Sequence, residues 1–210
     1  MKLMFDIGYN TGGFTRFMMD SVKDLQIIAV EPNLNIINDI NTFKHTGVEI
    51  LNYALSDKDD ENKILHINAY HTISTINKEW MDKSRFSDPE YSTKWTGEVT
   101  VKTITLDTLI KRYGVPGLIK IDIEGYEYIA IRGLTSKAKT ICFEWTEELF
   151  NNCINTVDYI KSLGYSEFAH TLANANEIPA TYNTWDIVEK QLSDMIIKDR
   201  KELFGMLFCR

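Results

Sequence analysis

Short apolar runs alternate along the chain with segments whose apolar residues recur at helical spacing, so strands and helices are predicted to take turns. Lys2-Leu3-Met4-Phe5 opens as a strand, a Gly-rich turn interrupts it, and Arg16-Phe17-Met18-Met19 continues as a helix. Gln26-Ile27-Ile28-Ala29-Val30-Glu31, stopped by Pro32, reads as a buried second strand. Leu34, Ile36, Ile37, Ile40 and Phe43 predict a helix over 33–43, and 48–54 is a third strand. Strand, helix, strand, helix, strand is the rhythm of a parallel sheet with right-handed crossovers, which predicts a doubly wound α/β fold.

Further along, 63–68 and 98–105 are strand-like and predict a hairpin extension. Between them, 69–97 is an insertion rich in aromatic residues, charges and hydroxyls, of the kind that serves as a lid or substrate loop. A helix begins at Leu106, and strands are expected at 118–122 and 140–145, with a helix over 125–134 between them. Helix 155–163, strand 165–170, helix 184–200 and a final strand complete a single domain over residues 1–210. The abrupt apolar beginning and end predict a domain taken from a longer polypeptide, in which glycosyltransferase modules are the expected neighbours.

Composition narrows the function. A net charge of −7 argues against a phosphate-backbone partner, so no nucleic acid is expected, and no apolar stretch is long enough to span a membrane. Cys142, Cys153 and Cys209 are widely spaced, with no C-x-x-C pair and no metal-like spacing, and the start of the chain is no signal peptide. A reducing, cytoplasmic location is expected.

The turn after the first strand, Asp6-Ile7-Gly8-Tyr9-Asn10-Thr11-Gly12-Gly13-Phe14, offers close backbone approach and a helix N-terminus to a cofactor. Its glycine spacing is neither G-x-G-x-x-G nor a P-loop. Asp6 at the strand end repels a pyrophosphate but suits an amine and a sulfonium, which points to S-adenosylmethionine. Open α/β sheets bind ligands beyond the carboxyl ends of their strands, and Asp6, Glu31, Asp122 and Glu144 all fall at such ends. Glu31 and Pro32 are placed to meet a ribose diol, and Ala54, Leu55 and Ser56 an adenine. Gly8, Tyr9, Asn10, Gly12, Phe14 and Asp122 complete the expected cofactor contacts.

The set Asp6-x-Gly8-x-Asn10-x-Gly12, Val30-Glu31-Pro32-Asn33, Ala54-Leu55-Ser56-Asp57, Thr105-Leu106-Asp107, Ile119-Lys120-Ile121-Asp122-Ile123-Glu124-Gly125-Tyr126-Glu127 and Phe143-Glu144 resembles the FkbM family of S-adenosylmethionine-dependent methyltransferases. The chain departs from that family's usual pattern at Tyr9, Gly13 and the aromatic insertion. The resemblance implies a Rossmann-like class I methyltransferase fold, with a mostly parallel seven-stranded sheet and an antiparallel last strand. It also implies O-methylation of a hydroxyl on a sugar or glycan, the alternatives being a lipid or polyketide-like alcohol, or a nucleotide-binding module without catalysis. A hydroxyl must lose its proton as the new bond forms, for which Asp122 is the first candidate, Glu144 the second, and His71 and His170 lie outside them. Trp80, Trp95, Arg85 and Glu124 are the expected acceptor contacts. No motif demands a metal, although acids at adjacent strand ends, Asp122 and Glu144, can share a divalent cation with a third oxygen ligand.

Overall fold

A computed structural model describes residues 2–39, 41–88, 91, 93–173, 177–198 and 203–210. In chain order the elements are β1 (Leu3–Ile7), α1 (Gly13–Ser21), β2 (Gln26–Val30), α2 (Leu34–Asn38), β3 (Val48–Leu51), β4 (Ala54–Leu55) and β5 (Asn62–Asn68). They continue with α3 (Lys78–Lys83), β6 (Trp95–Ile104), α4 (Leu106–Tyr113), β7 (Leu118–Ile121) and α5 (Glu127–Ile131). The remainder is β8 (Ile141–Thr146), α6 (Phe150–Ser162), β9 (Phe168–His170), α7 (Trp185–Lys198) and β10 (Phe204–Cys209). Among the described residues one sheet has seven strands in the order β3-β2-β1-β7-β8-β10-β9. Pairing is parallel from β3 through β8, and β10 runs antiparallel to β8 and β9, as the resemblance implies.

The central strands are apolar throughout because both faces are covered. Alternate side chains serve opposite layers. Met4, Ile27, Leu118, Cys142 and Phe208 pack with Met18 of α1, whereas Phe5, Ile28, Ile119, Ile141 and Leu207 join a core with Leu109, Ile131, Ile160 and Leu192 of the helices on the other face. Two charged residues break this rule side by side. Asp6 of β1 is in register with Lys120 of β7, at the boundary where strand order reverses.

Side-chain chemistry overrides periodicity in several places. The helix expected over 33–43 stops at Asn38, because Asp39 adopts an extended backbone and its carboxylate accepts from the Asn41 amide at 2.6 Å. The run 48–54 divides between two sheets: the Asn52 side-chain amide donates to the carbonyls of Glu31 (3.1 Å) and Pro32 (2.8 Å), and the chain then leaves to pair β4 with β6. The segment expected as helix 125–134 is helical only over Glu127–Ile131, since Glu124 and Gly125 both have positive φ. Helix α6 begins earlier than its periodicity suggests, with the Phe150 ring edge-on to Trp145 at 6.1 Å. The expected hairpin is present as β5 and β6, antiparallel from Asn62 opposite Lys102 to Asn68 opposite Trp95.

The insertion between β5 and β6 is folded. Asn77 caps α3 by accepting from the Glu79 amide at 3.0 Å, and Trp80 is buried against Ile73, Leu149 and Phe86. The end of β1 is equally constrained. Gly8 has φ 75°, and a Cβ there would sit 1.7 Å from the carbonyl oxygen of Asp122. The Gly8→Ala protein is therefore expected to lose about 3 kcal/mol or more, a fall in Tm of roughly 6–12 °C by thermal unfolding. A shift below about 2 °C would show that the two loops separate freely.

Candidate active site

Past the carboxyl ends of β1, β2 and β7 lies a cavity of about 380 Å³, at the position where open α/β sheets hold ligands. It is lined by Gly8, Tyr9, Asn10, Thr11, Gly13 and Phe14 of the turn, by Glu31 and Pro32 after β2, and by Tyr53, Ala54 and Leu55. The lining also includes His71, Thr72, Ser74 and Thr75 of the insertion and Asp122, Ile123 and Glu124 after β7, and Asn10 Nδ2 donates to the His71 carbonyl at 3.5 Å.

Beneath the cavity, the Lys120 ammonium is buried and lies 3.4 Å from both Asp6 Oδ1 and Asp122 Oδ2. It donates to the Gly8 carbonyl at 3.0 Å, and Phe14 lies over it at 5.9 Å. The second Asp6 oxygen accepts from Thr15 Oγ1 at 2.6 Å. Burial alone would discharge Lys120, but the charges of Asp122 and Asp6 outweigh it and raise its pKa. Burial likewise raises the Asp6 carboxyl, opposed by Lys120 and the Thr15 hydroxyl. The pair holds together strands that meet at the switch point and fixes the base of the loop.

Glu31 has one oxygen on the Asn10 amide and the other on the Asn33 amide, both at 2.8 Å. Burial raises its pKa, opposed by these two amides. Each oxygen keeps accepting capacity toward the cavity, which fits a vicinal diol. Asn10 reaches this geometry with φ 52°, and its side chain caps the Thr11 amide at 2.8 Å. Tyr9 is buried, donates to the Phe43 carbonyl, and stacks where a Cβ on Gly12 would intrude. Burial and Asp6 push its phenol up to about 12.

Carboxylates gather around the ends of β7 and β8. One oxygen from each of Asp122, Glu124 and Glu144 lies within 4.8 Å of the others, a set that can hold a divalent cation. Glu144 Oε2 is shielded and accepts no hydrogen bond from the described residues. Burial first, and then the neighbouring acids, raise Glu124 and Glu144 well above the ordinary carboxylate range. The turn carrying Glu124 is left-handed at two successive residues, φ 57° and 86°. The insertion holds it there: Thr75 Oγ1 donates to the Glu124 carbonyl at 2.8 Å, Asn77 Nδ2 to the Gly125 carbonyl at 2.6 Å, and Trp80 packs where a Gly125 Cβ would be. Glu127, at the start of α5, folds back to accept from the Ile123 amide at 2.9 Å, and burial pushes its pKa up to about 7.

The structure brings Gly8, Tyr9, Asn10, Phe14, Glu31, Pro32, Ala54, Leu55, His71, Asp122 and Glu124 to the cavity wall. Asp6 and Gly12 support that wall from behind. Ser56 is buried, with its hydroxyl toward Asp57 at 3.3 Å, and does not line the cavity. His170 corrects an expectation: it lies on β9 at the far side of the sheet, in a separate cleft with Gln191 and Asp194, and burial lowers its pKa. Trp80 is 2% exposed and serves the core of the insertion, with Trp95 packed beside it, so neither offers an open ring face to the cavity. Arg85 is committed to Glu148 through contacts of 2.7 and 2.9 Å. Residue types alone assigned no role to Lys120, Thr75 or Tyr53. A charge inside the apolar run 118–121 was the available signal for Lys120; the others depend on chain crossings.

The Methyltransferase FkbM domain family matches residues 6–167. Hexuronic acid methyltransferase AglP of Haloferax volcanii is 27% identical over 150 residues, which are 67% of this chain and 53% of that protein. The chain thus spans about half the length of the curated relative it matches. Among solved structures, precorrin-6y C5,15-methyltransferase from Geobacter metallireducens GS-15 aligns with a TM-score of 0.48 at 10% identity, covering 99% of this chain and 79% of the other. The plantazolicin methyltransferase BpumL in complex with SAH aligns at 0.42 and 8% identity, covering 99% and 75%.

Lys120→Met is expected to destabilise the protein by about 3–5 kcal/mol in urea unfolding, because it strands Asp6 as a buried unpaired charge. Adding Asp6→Asn should restore at least half of that loss; purely additive single effects would refute the coupling. Glu127 gives a pH test. Its carboxyl binds a proton more tightly folded than unfolded, so its contribution to stability is full below about pH 4.5 and disappears as pH rises through about 7. Glu127→Gln keeps the acceptor oxygen and removes the titration. The difference in Tm between wild type and variant should drift against the wild type between pH 4.5 and 7, and a flat difference would count against the buried proton.

Proposed function

We propose that this chain, which belongs to the FkbM family of S-adenosylmethionine-dependent methyltransferases, methylates a hydroxyl oxygen of a sugar. The observation that carries the reading is the mixed lining of one cavity at the carboxyl ends of the strands. The glycine turn and Glu31 suit the methyl donor, the residues of the insertion suit a polyhydroxylated acceptor, and Asp122 lines the same cavity. When bound, S-adenosylmethionine supplies a methyl group activated by its sulfonium. Glu31 takes the ribose hydroxyls, Tyr53, Ala54 and Leu55 offer apolar surface to the adenine, and Gly8 and Asn10 form the loop beneath. Thr72 and Ser74 provide short hydroxyl partners for an acceptor.

Asp122 is the group we assign to accept the hydroxyl proton. Its carboxylate lies in the cavity wall, while its backbone is held by donation of its amide to the Ile7 carbonyl at 3.1 Å and by the close approach of Gly8. The carboxylate therefore stays fixed relative to the cofactor loop, which is what orientation-based catalysis requires. His71 faces the same space from the insertion and is the remaining histidine of the two first considered. AglP supports a sugar acceptor. Three buried free cysteines agree with a reducing, cytoplasmic setting. Among the described residues no helix is long and apolar enough to cross a membrane.

Incubation with isotopically labelled methyl donor and a panel of glycosides, read by mass spectrometry, should yield a mono-O-methylated sugar. Asp122→Asn should lower kcat by roughly 10²–10⁴-fold while leaving affinity for S-adenosylhomocysteine within a few-fold. Methylation of lipid or polyketide alcohols with no glycoside product would displace the sugar acceptor, and full activity in Asp122→Asn would displace that residue as proton acceptor.

A further inference from the structure

The turn between β1 and α1 is left-handed at every second residue, with φ 75° at Gly8, 52° at Asn10 and 84° at Gly12. Glycine tolerates this and asparagine less well, and a free segment would adopt all three together only part of the time, so the turn has to be held from outside. One grip is Glu31, whose carboxylate accepts from the Asn10 amide. A second comes from farther along the same connection, after α2. The Phe43 amide donates to the Thr11 carbonyl at 2.9 Å, and the Phe43 carbonyl accepts from the Tyr9 hydroxyl. A Cβ on Gly12 would lie 2.7 Å from Tyr9 Cζ and 3.0 Å from Phe43 Cβ, so the three residues are packed together. Arg16 of α1 sets its guanidinium over the Phe43 ring, 4.9 Å from the centroid.

Phe43 acts from outside the cavity, since it is not among the described residues that line it. The segment that carries it is anchored: Thr42 is buried, with its hydroxyl on the Ile36 carbonyl and its amide on the Asp39 carbonyl at 3.2 Å. Tyr9 is 2% exposed, and its hydroxyl is spent on Phe43. What the two side chains supply is the shape of the turn. We propose that Tyr9 and Phe43 form a latch that keeps the glycine turn in its ligand-ready conformation, which makes both of them positioning residues for the methyl donor. The latch rests on the reading that this turn and Glu31 hold S-adenosylmethionine. It adds that part of the donor's affinity is set before the donor arrives, because the turn does not have to be ordered on binding.

Binding of S-adenosylhomocysteine to the full chain is measured by isothermal titration, with Tm as the check on folding. Tyr9→Phe removes the donated hydroxyl and keeps the ring, and Phe43→Leu removes the ring beneath Arg16 and keeps the backbone bonds. Tyr9→Phe should raise Kd roughly 3–10-fold and Phe43→Leu roughly 2–5-fold. Either change opens the same latch, so the double variant should fall short of the product of the two. Tyr165→Phe is the control, because Tyr165 likewise donates a buried hydroxyl to a carbonyl, that of Ala138 at 2.8 Å, away from the cavity wall. It should lower Tm as Tyr9→Phe does and leave Kd within about 1.5-fold of wild type. An unchanged Kd in Tyr9→Phe, single effects that simply multiply, or an equal loss of affinity in Tyr165→Phe would each overturn the latch. Glu31→Ala separates the latch from the reading beneath it. A weaker Kd in that variant keeps the donor at this turn whatever Tyr9→Phe does, whereas an unchanged Kd places the donor elsewhere and removes the latch with it.

Discussion

The ammonium of Lys120 is the contact on which the site depends. A lysine buried between two acids is a poor source of net stability, since desolvating three charges cancels much of what their attraction returns. Its effect is positional. Asp6 comes from the first strand and Asp122 from just beyond β7, and the ion holds both ends against the Gly8 carbonyl. Gly8 then has to be glycine, because the Asp122 carbonyl fills the space a side chain would need. The glycine turn and the Asp122 carboxylate are thereby one rigid object, built across the line where strand order reverses.

Against that fixed part, more of the cavity wall is supplied by a segment with little regular structure. The insertion contributes two short hydrogen bonds and one indole ring to the Glu124–Gly125 turn, and these hold a backbone geometry that an isolated chain would rarely visit. The acids are thus distributed unevenly. Glu31 is satisfied by two amides before any ligand arrives, whereas Glu144 has an oxygen shielded from water with nothing among the described residues donating to it. The first reads as a pre-formed receptor and the second as a group whose protonation follows its neighbours.

The sheet was legible in the sequence because parallel strands covered on both faces leave continuous apolar runs, and because acids at strand ends are rare enough to be noticed. Asp6, Glu31 and Asp122 could be placed on those grounds, and motif order supplied the family. Periodicity misled wherever a side chain rewrote the backbone: Asp39 ended α2, and Asn52 sent the third strand into a second sheet. It also could not tell an aromatic residue that faces a ligand from one that holds a loop in place. Trp80 has the composition of a sugar platform and the burial of a core residue, and only the position of Gly125 distinguishes the two. Thr75 and Asn77 left no signal, since their partners are carbonyls of a turn far away in the chain.

The grip of Asn77 and Thr75 on that turn ties together two properties that would otherwise vary separately. The segment that supplies His71, Thr72 and Ser74 to the cavity wall is also the segment that holds the turn carrying Glu124. A change that reshapes the insertion also moves an acid in the cavity wall. The shape of this wall and the placement of its acids are consequently inherited as a single unit, and a loop exchanged between relatives carries both or disrupts both.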